Sequence, residues 1–386
     1  MQEYTISYNH YKNTQEITKM NTALIGKRIQ YARELAGLTQ SQASRKLGFK
    51  DRQTLSAIEA GLRRVNADEL CKIGTVFGQT IEFFTDPLRL INEGAFTWHV
   101  SVSPSETLTK KLNQTAGSYL ALYRTLSKSM NCKVSSLEPR LVLEGTGSAA
   151  QVAECVEELA DSWELGGTPA ERLESAITAK LPFLVLTVNL PKGVLSGACR
   201  LTGFSGLFLS AELSWEARPV ELARQCLHLL TWEQLPPPEW VLDSTEAKGK
   251  GTSAHIERLT REFIHEILLP REQMEQAWSV RTDEKLKSFV ATLARRFSLP
   301  ASMICQRLLA LDLPAKDEAN KMRNIRFAKE PCGRLRLYSK DFVERVHQGL
   351  SRGLISERKL LGILGLYREE LKELFAEYSL GSRFLL

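Results

Sequence analysis

Residues 39–60 read TQSQASRKLGFKDRQTLSAIEA, and their punctuation decides the fold of the first part of the chain. Thr39 is a good helix N-cap, and Gln42 three positions on completes a capping box, so a helix begins at Gln40. Ala43 and Leu47 sit one turn apart and face inward, and Gly48 permits the turn that follows. Leu55 and Ile58 anchor a second short helix, which Gly61 terminates.

The same reading extends outward. Upstream, Leu24, Ile25, Ile29, Ala32 and Leu35 make the apolar stripe of a leading helix. Downstream, Asn66 with Glu69 forms another capping box, and Leu70, Ile73, Val76 and Phe77 give a fourth helix its apolar face. Asp86-Pro87 closes the unit, because proline disfavours helix in the residue before it. Residues 1–20 read as a polar arm and 21–87 as a helical bundle.

This bundle resembles the phage-repressor (Cro/CI, or XRE) helix-turn-helix family over residues 24–86. The resemblance implies that the start of the helix after Gly48 enters the major groove of double-stranded DNA. The matching positions are Lys50, Arg52, Gln53, Thr54 and Ser56, with Gln40 at the position that holds a phosphate. Their side chains suit that role, since Arg bonds bidentately to guanine, Gln to adenine, and Ser or Thr to base or phosphate. One such unit reads a short half-site, so the implied partner is an inverted repeat bound by a homodimer. Between Lys19 and Asp86 there are eleven Lys/Arg and seven Asp/Glu, a weak electrostatic footprint for phosphate. The turn Phe49-Lys50-Asp51 is about one residue longer than the commonest pattern, which blurs which residue meets which base.

The whole chain has 386 residues, room for two or three domains. Its 43% hydrophobic and 25% charged residues and its net charge of +6 describe an ordinary globular protein. No apolar run approaches the 18 residues of a membrane span, and the first twenty residues hold no signal-peptide core, so a cytoplasmic protein is expected. Seven scattered cysteines without a C-x-x-C pair read as free, mostly buried thiols.

Beyond the bundle, Trp98–Glu106 (WHVSVSPSE) reads as a linker, and helices are expected over 107–130 and 149–164, within a helical linker region of 88–164. The run Leu181–Leu190 (LPFLVLTVNL) is a buried strand, continued by Gly197–Leu201 and Gly206–Leu209. Helices return over 217–231, 253–269 and 283–297, with a loop at 236–250. Residues 316–386 form a helical C-terminal region, with two or three helices over 338–377 and Ser356 as one cap. The expected fold is mainly α with a small β-sheet.

Residues 165–315 carry a second resemblance, to the ImmA/IrrE zinc metallopeptidases. It rests on Trp163–Pro169 (WELGGTP), the strand run 181–190, Glu221–Leu230 (ELARQCLHLL), Ile256–Pro270 (IERLTREFIHEILLP) and Leu293–Leu313 (LARRFSLPASMICQRLLALDL). It implies an α+β zincin-like fold. The family's H-E-x-x-H places two zinc ligands on one helix face with a general base beside the first, and a downstream Glu completes the set. The matching stretch here is Arg224-Gln225-Cys226-Leu227-His228, with Glu257 downstream. Arg224 stands at the first His and cannot ligate zinc, and Gln225 stands at the base and cannot take a proton. Arg224, Gln225, His228 and Glu257 therefore read as a degenerate former zinc site, with no metal, no cofactor and no peptidase activity. The resemblance also brings Arg224 and Glu257 together, since both positions touch one metal in the family, so an ion pair is expected with His228 on the same face.

The chain therefore reads as a sequence-specific transcriptional regulator with a catalytically dead, sensory or interaction domain that takes a small-molecule or protein effector. The alternatives are an active zinc peptidase cleaving a repressor and an antitoxin or defence-associated autoregulator binding a protein partner. The basic run Lys321–Arg336 leaves a second DNA-contacting unit in the tail as a further option.

Overall fold

The computed structural model describes residues 22–132, 141–243, 251–281, 285–327 and 335–381. The chain divides into two compact units, residues 1–93 and 94–386. The polar arm 1–20 lies outside the described residues, as do residues 328–334 of the basic run Lys321–Arg336.

The first unit is all helical. Helix α1 spans 22–35, followed by α2 (Gln40–Leu47), α3 (Arg52–Glu59), α4 (Ala67–Phe77) and α5 (Ile81–Thr85). The caps are those the sequence calls for: Thr39 with Gln42 and Asn66 with Glu69 form capping boxes, and Gly48 turns with φ 74°. Ile29, Ala32, Ala43, Leu47, Leu55, Ile58, Ile73, Phe77 and Phe84 make the core. Leu35 is a correction: it lies outside this core, 58% exposed, because α1 ends there and its last turn passes the bundle. The α1 face instead buries two arginines. Arg28 donates to the carbonyls of Phe83, Asp86 and Arg89 and to the Glu93 carboxylate, tying α1 to the end of the unit. Gly26 has no room for a Cβ, which would come within 2.3 Å of the Ile58 carbonyl oxygen, so α1 crosses the end of α3 at backbone contact.

The second unit is built on a mixed five-stranded sheet of order β2-β4-β3-β1-β5 among the described residues. The strands are β1 (Gly94–Val100), β2 (Phe183–Val188), β3 (Val194–Leu201), β4 (Phe204–Ser210) and β5 (Trp240–Leu242). β1 and β4 run antiparallel to β3, while β2 is parallel to β4 and β5 to β1. The stretch expected to be a linker is therefore partly sheet interior: Trp98 and Val100 are fully buried and His99 is 3% exposed. Phe96, Trp98 and Val100 alternate as a strand should; the serines and proline that argue for a linker belong only to the loop after Val100.

Helices cover both faces. On one face lies α6 (Glu106–Ser129), where Leu120 fills the space left by Gly206 and Asn113 accepts a 2.8 Å bond from the Trp98 indole. On the other lies α9 (Ala217–Thr231), backed by α10 (Thr252–Leu268) and α7 (Ala149–Ser162). The large core gathers Leu207 and Leu209 of the sheet with Leu222, Ala223 and Cys226 of α9 and Phe263 of α10. The remaining helices are α8 (Pro169–Lys180), α11 (Arg271–Ser279), α12 (Leu286–Phe297), α13 (Ala301–Ala310), α14 (Lys316–Asn324), α15 (Lys340–Ser351), α16 (Glu357–Leu364) and α17 (Arg368–Glu377). Six described cysteines are free thiols; Cys199, Cys226 and Cys305 are buried, Cys132 and Cys155 half-buried and Cys71 exposed. No helix among the described residues is long and apolar enough to cross a membrane.

Candidate nucleic-acid interface and a buried polar cluster

The start of α3 is set by a residue the sequence pattern did not single out. Asp51 is its N-cap: Oδ1 accepts from the Thr54 amide at 2.8 Å and from the Thr54 hydroxyl at 3.1 Å. The bond from the Thr54 amide holds the Asp51 carboxyl below its ordinary value. Thr54, expected to meet bases, thus has its hydroxyl engaged in the cap, while Ser56 is half-buried. Lys50, Arg52 and Gln53 are exposed around this helix start, and Lys46 projects from the last turn of α2. The cations Lys46, Lys50 and Arg52 have no carboxylate partner among the described residues. A capped helix N-terminus flanked by unneutralised cations is suited to phosphate and base edges.

Gln40 has a more defined place than expected. Its amide donates to Glu59 Oε2 at 2.8 Å, and the same carboxylate takes Arg33 Nε at 2.6 Å and Nη2 at 3.0 Å. Arg33 also donates to the Leu38 carbonyl, so α1, the first turn of α2 and the end of α3 meet at one buried carboxylate. The Glu59 bonds hold the Arg33 pKa above its ordinary value. This network fixes the angle between α2 and α3 with directional, charge-assisted bonds.

In the second unit, α9 brings Glu221, Arg224, Gln225 and His228 onto one face by helical spacing. Arg224 Nη1 meets both oxygens of Glu257, on α10, at 2.8 and 3.1 Å, so the expected pair is present, though through one nitrogen rather than a two-nitrogen fork. Gln225 donates to the Ser196 hydroxyl at 2.8 Å. His228 is buried, and neither of its ring nitrogens has a hydrogen-bond partner among the described residues.

Three further members were not singled out from the sequence. Glu221 Oε2 accepts from Ser196 Oγ at 2.5 Å and lies 2.8 Å from His99 Nδ1. His99 and Ser196 are cross-strand partners on β1 and β3, which is why one carboxylate from α9 reaches both. The signal for His99 lay in the alternation of 96–100, and that for Glu221 in its position one turn before Arg224. Burial opposes the Glu221 charge, but His99, Arg224 and the Ser196 hydroxyl hold its pKa at about 2. Burial, with Arg224 and His99 nearby, pushes His228 down to about 3, so it is neutral. Burial also works against Arg224, yet Glu257 and Glu221 hold its pKa above the ordinary value. The cluster is thus a largely buried polar network, with Arg224 and Glu257 half-buried at its edge. A groove of about 680 Å³ runs beside β2, lined by Tyr123, Ser175, Thr178, Leu181, Phe204 and Asp341 among others.

Residues 29–84 match the helix-turn-helix family HTH_3. No curated protein matches the chain. Among solved structures, the chain is similar to the apo form of the competence regulator ComR from Streptococcus vestibularis, at 11% identity and a TM-score of 0.17, covering 94% of this chain and 100% of that one. The first unit carries a helix-turn-helix, a domain type that binds DNA.

Proposed function

We propose that this chain is a sequence-specific, double-stranded-DNA-binding transcriptional regulator that acts as a homodimer on an inverted repeat. The observation that carries the reading is the capped start of α3, where the cations Lys50 and Arg52, without carboxylate partners among the described residues, and the amide of Gln53 are exposed within the helix-turn-helix match. Lys50 and Arg52 supply phosphate attraction, Arg52 and Gln53 reach for base edges, and Gln40, steadied by Glu59, stands at a phosphate. Thr54 serves the cap, and Ser56 contributes from its half-buried position. The direct check is fluorescence anisotropy of duplex DNA over a salt series. Lys50→Ala should weaken binding to all sequences and flatten the salt slope by about one; unchanged binding would remove the reading.

The second unit, on this proposal, is a metallopeptidase-like domain of ImmA/IrrE type that has lost its chemistry and serves sensing or interaction. The donor set argues against zinc: Arg224, already bonded to Glu257, offers no lone pair, and His228 and Glu257 fall one short of the three protein ligands a catalytic site needs. Among the described residues no group of three or more His, Cys, Asp or Glu side chains is arranged to hold a metal ion. A small-molecule or protein effector would use the groove beside β2.

A further inference from the structure

Among the described residues β2 ends the sheet on one side, and its pairing with β4 fixes where its backbone groups point. The Ser205 amide donates to the Pro182 carbonyl at 3.1 Å, and the Ala211 amide to the Val188 carbonyl at 3.0 Å. In a parallel ladder the residues that bond the neighbour alternate with residues that face away. Leu184 and Leu186 therefore address β4 with Pro182 and Val188, while Phe183, Val185 and Thr187 turn their amides and carbonyls outward. One outward bond agrees with that phase: the Thr187 carbonyl accepts from the Tyr338 amide at 2.6 Å.

The outward amides and carbonyls of Phe183 and Val185 have no hydrogen-bond partner among the described residues. Phe183 is nevertheless only 8% exposed and Val185 1%. Buried backbone donors and acceptors are nearly always paired, and a free row of them on an edge strand is a template for another chain. Both residues line the groove of about 680 Å³ beside β2. A second orphan lines it too. The Ser339 hydroxyl, at the start of α15, is buried, has no partner and makes no capping bond.

We infer that this groove takes an extended peptide segment, which adds to the outer edge of β2 as a further strand. The backbone selects that occupant. A strand offers an amide and a carbonyl to one side at every second residue, the spacing of Phe183 and Val185, whereas a helix has spent these groups on itself. The walls of the groove set the sequence it favours. On the side of α8, which packs with α9, stand the exposed Ser175, Thr178 and Ala179. On the side of α6 stand the rings of Tyr123 and Phe204, 6.2 Å apart. Successive side chains of a strand point to opposite faces, so the favoured segment alternates small or polar residues with apolar ones. The inference rests on the reading that an effector uses this groove, and not on DNA binding.

The test pans a phage-displayed library of random linear peptides on the full chain, then titrates one enriched peptide, made synthetically, by calorimetry. Thr178→Trp and Ala179→Trp each fill the groove from an exposed position on α8, and an unfolding midpoint shows that each variant folds. The peptide is also remade with each backbone amide N-methylated in turn, a readout that leaves the protein untouched. The expected result is binding that falls by roughly tenfold in both variants, with a similar loss on methylating alternate amides and little change at those between. A selection that yields no peptide sensitive to the two variants overturns the inference and the groove reading together. A groove-dependent peptide whose methylation losses do not alternate overturns strand addition and leaves the groove as an effector site. Titration of a K50A/R52A variant keeps the DNA reading apart: peptide binding is retained there, and its loss would place the peptide on the first unit and overturn the inference.

Discussion

Among single residues, Arg224 carries the most weight in the second unit. It neutralises Glu257 directly and lies 4.0 Å from the buried Glu221. Arg224→Met strands Glu257, while Glu221 keeps His99 and Ser196, and should cost about 3–5 kcal/mol in denaturant unfolding, whereas R224M/E257L should recover most of the loss, because a buried ion pair is often replaceable by apolar side chains. A double variant as unstable as the single one would contradict this view of the pair. His228 makes a pH prediction. Its folded pKa of about 3 lies below the ordinary 6.5, so as pH falls below 6.5 the unfolded chain binds a proton that the folded chain refuses. Stability is therefore unaffected by this group above pH 6.5 and falls below it by up to about 1.4 kcal/mol per pH unit, levelling near pH 3. His265, also pushed down to about 3 by burial, adds to the same window. Glu221 adds a second loss at lower pH, from its ordinary 4.5 toward about 2, as its stabilised carboxylate is protonated. His228→Gln should make the slope between pH 6.5 and 5 shallower by about one proton; an unchanged slope would mean that His228 is solvated and titrates freely. The Arg224–Glu257 pairing was legible because helical spacing places 224 and 228 on one face and the family resemblance supplied Glu257. His99 and Ser196 were not, because only strand pairing brings residues 97 positions apart in sequence onto one carboxylate.

Among the elements, β1 is where sequence and structure part. Its close approach to β3 has a sharp consequence: a Cβ on Gly197 would come within 2.1 Å of the Trp98 ring. Gly197→Ala should therefore destabilise the second unit by about 1–3 kcal/mol or more through overpacking, read as a lowered unfolding midpoint. A neutral substitution would show that Trp98 has room to move. The α2–α3 element was far more legible, since caps, glycines and apolar spacing are local signals, and Thr39, Gly48, Leu55 and Ile58 all serve as read. What escaped was Asp51, hidden by counting the turn as a residue too long; with Asp51 as cap, the same three residues form a turn plus a helix start. Gln53→Ala should cost about 1–3 kcal/mol at one base pair while sparing other positions, measured on a duplex series that varies each base in turn. A uniform loss across the series would place Gln53 on phosphate instead.

For the molecule as a whole, the division of labour follows from what each unit can bury and expose. A helical unit of about sixty residues spends most of its apolar surface on its own core, so the contacts of the proposed homodimer are expected in the second unit. A fragment of residues 1–90 should run as a monomer in sedimentation, and a stable dimer of that fragment would contradict this. The mainly helical class was readable from periodicity; the strand Gly94–Val100 that opens the second unit was not, because the serines and proline just after it read as a linker. The proposed regulatory role turns on sequence-specific recognition of duplex DNA, and binding-site selection from a random duplex library with the intact purified chain is its sharpest check. Selection should enrich an inverted repeat whose half-sites lie about one helical turn apart; a library that emerges without any enriched motif would contradict that recognition.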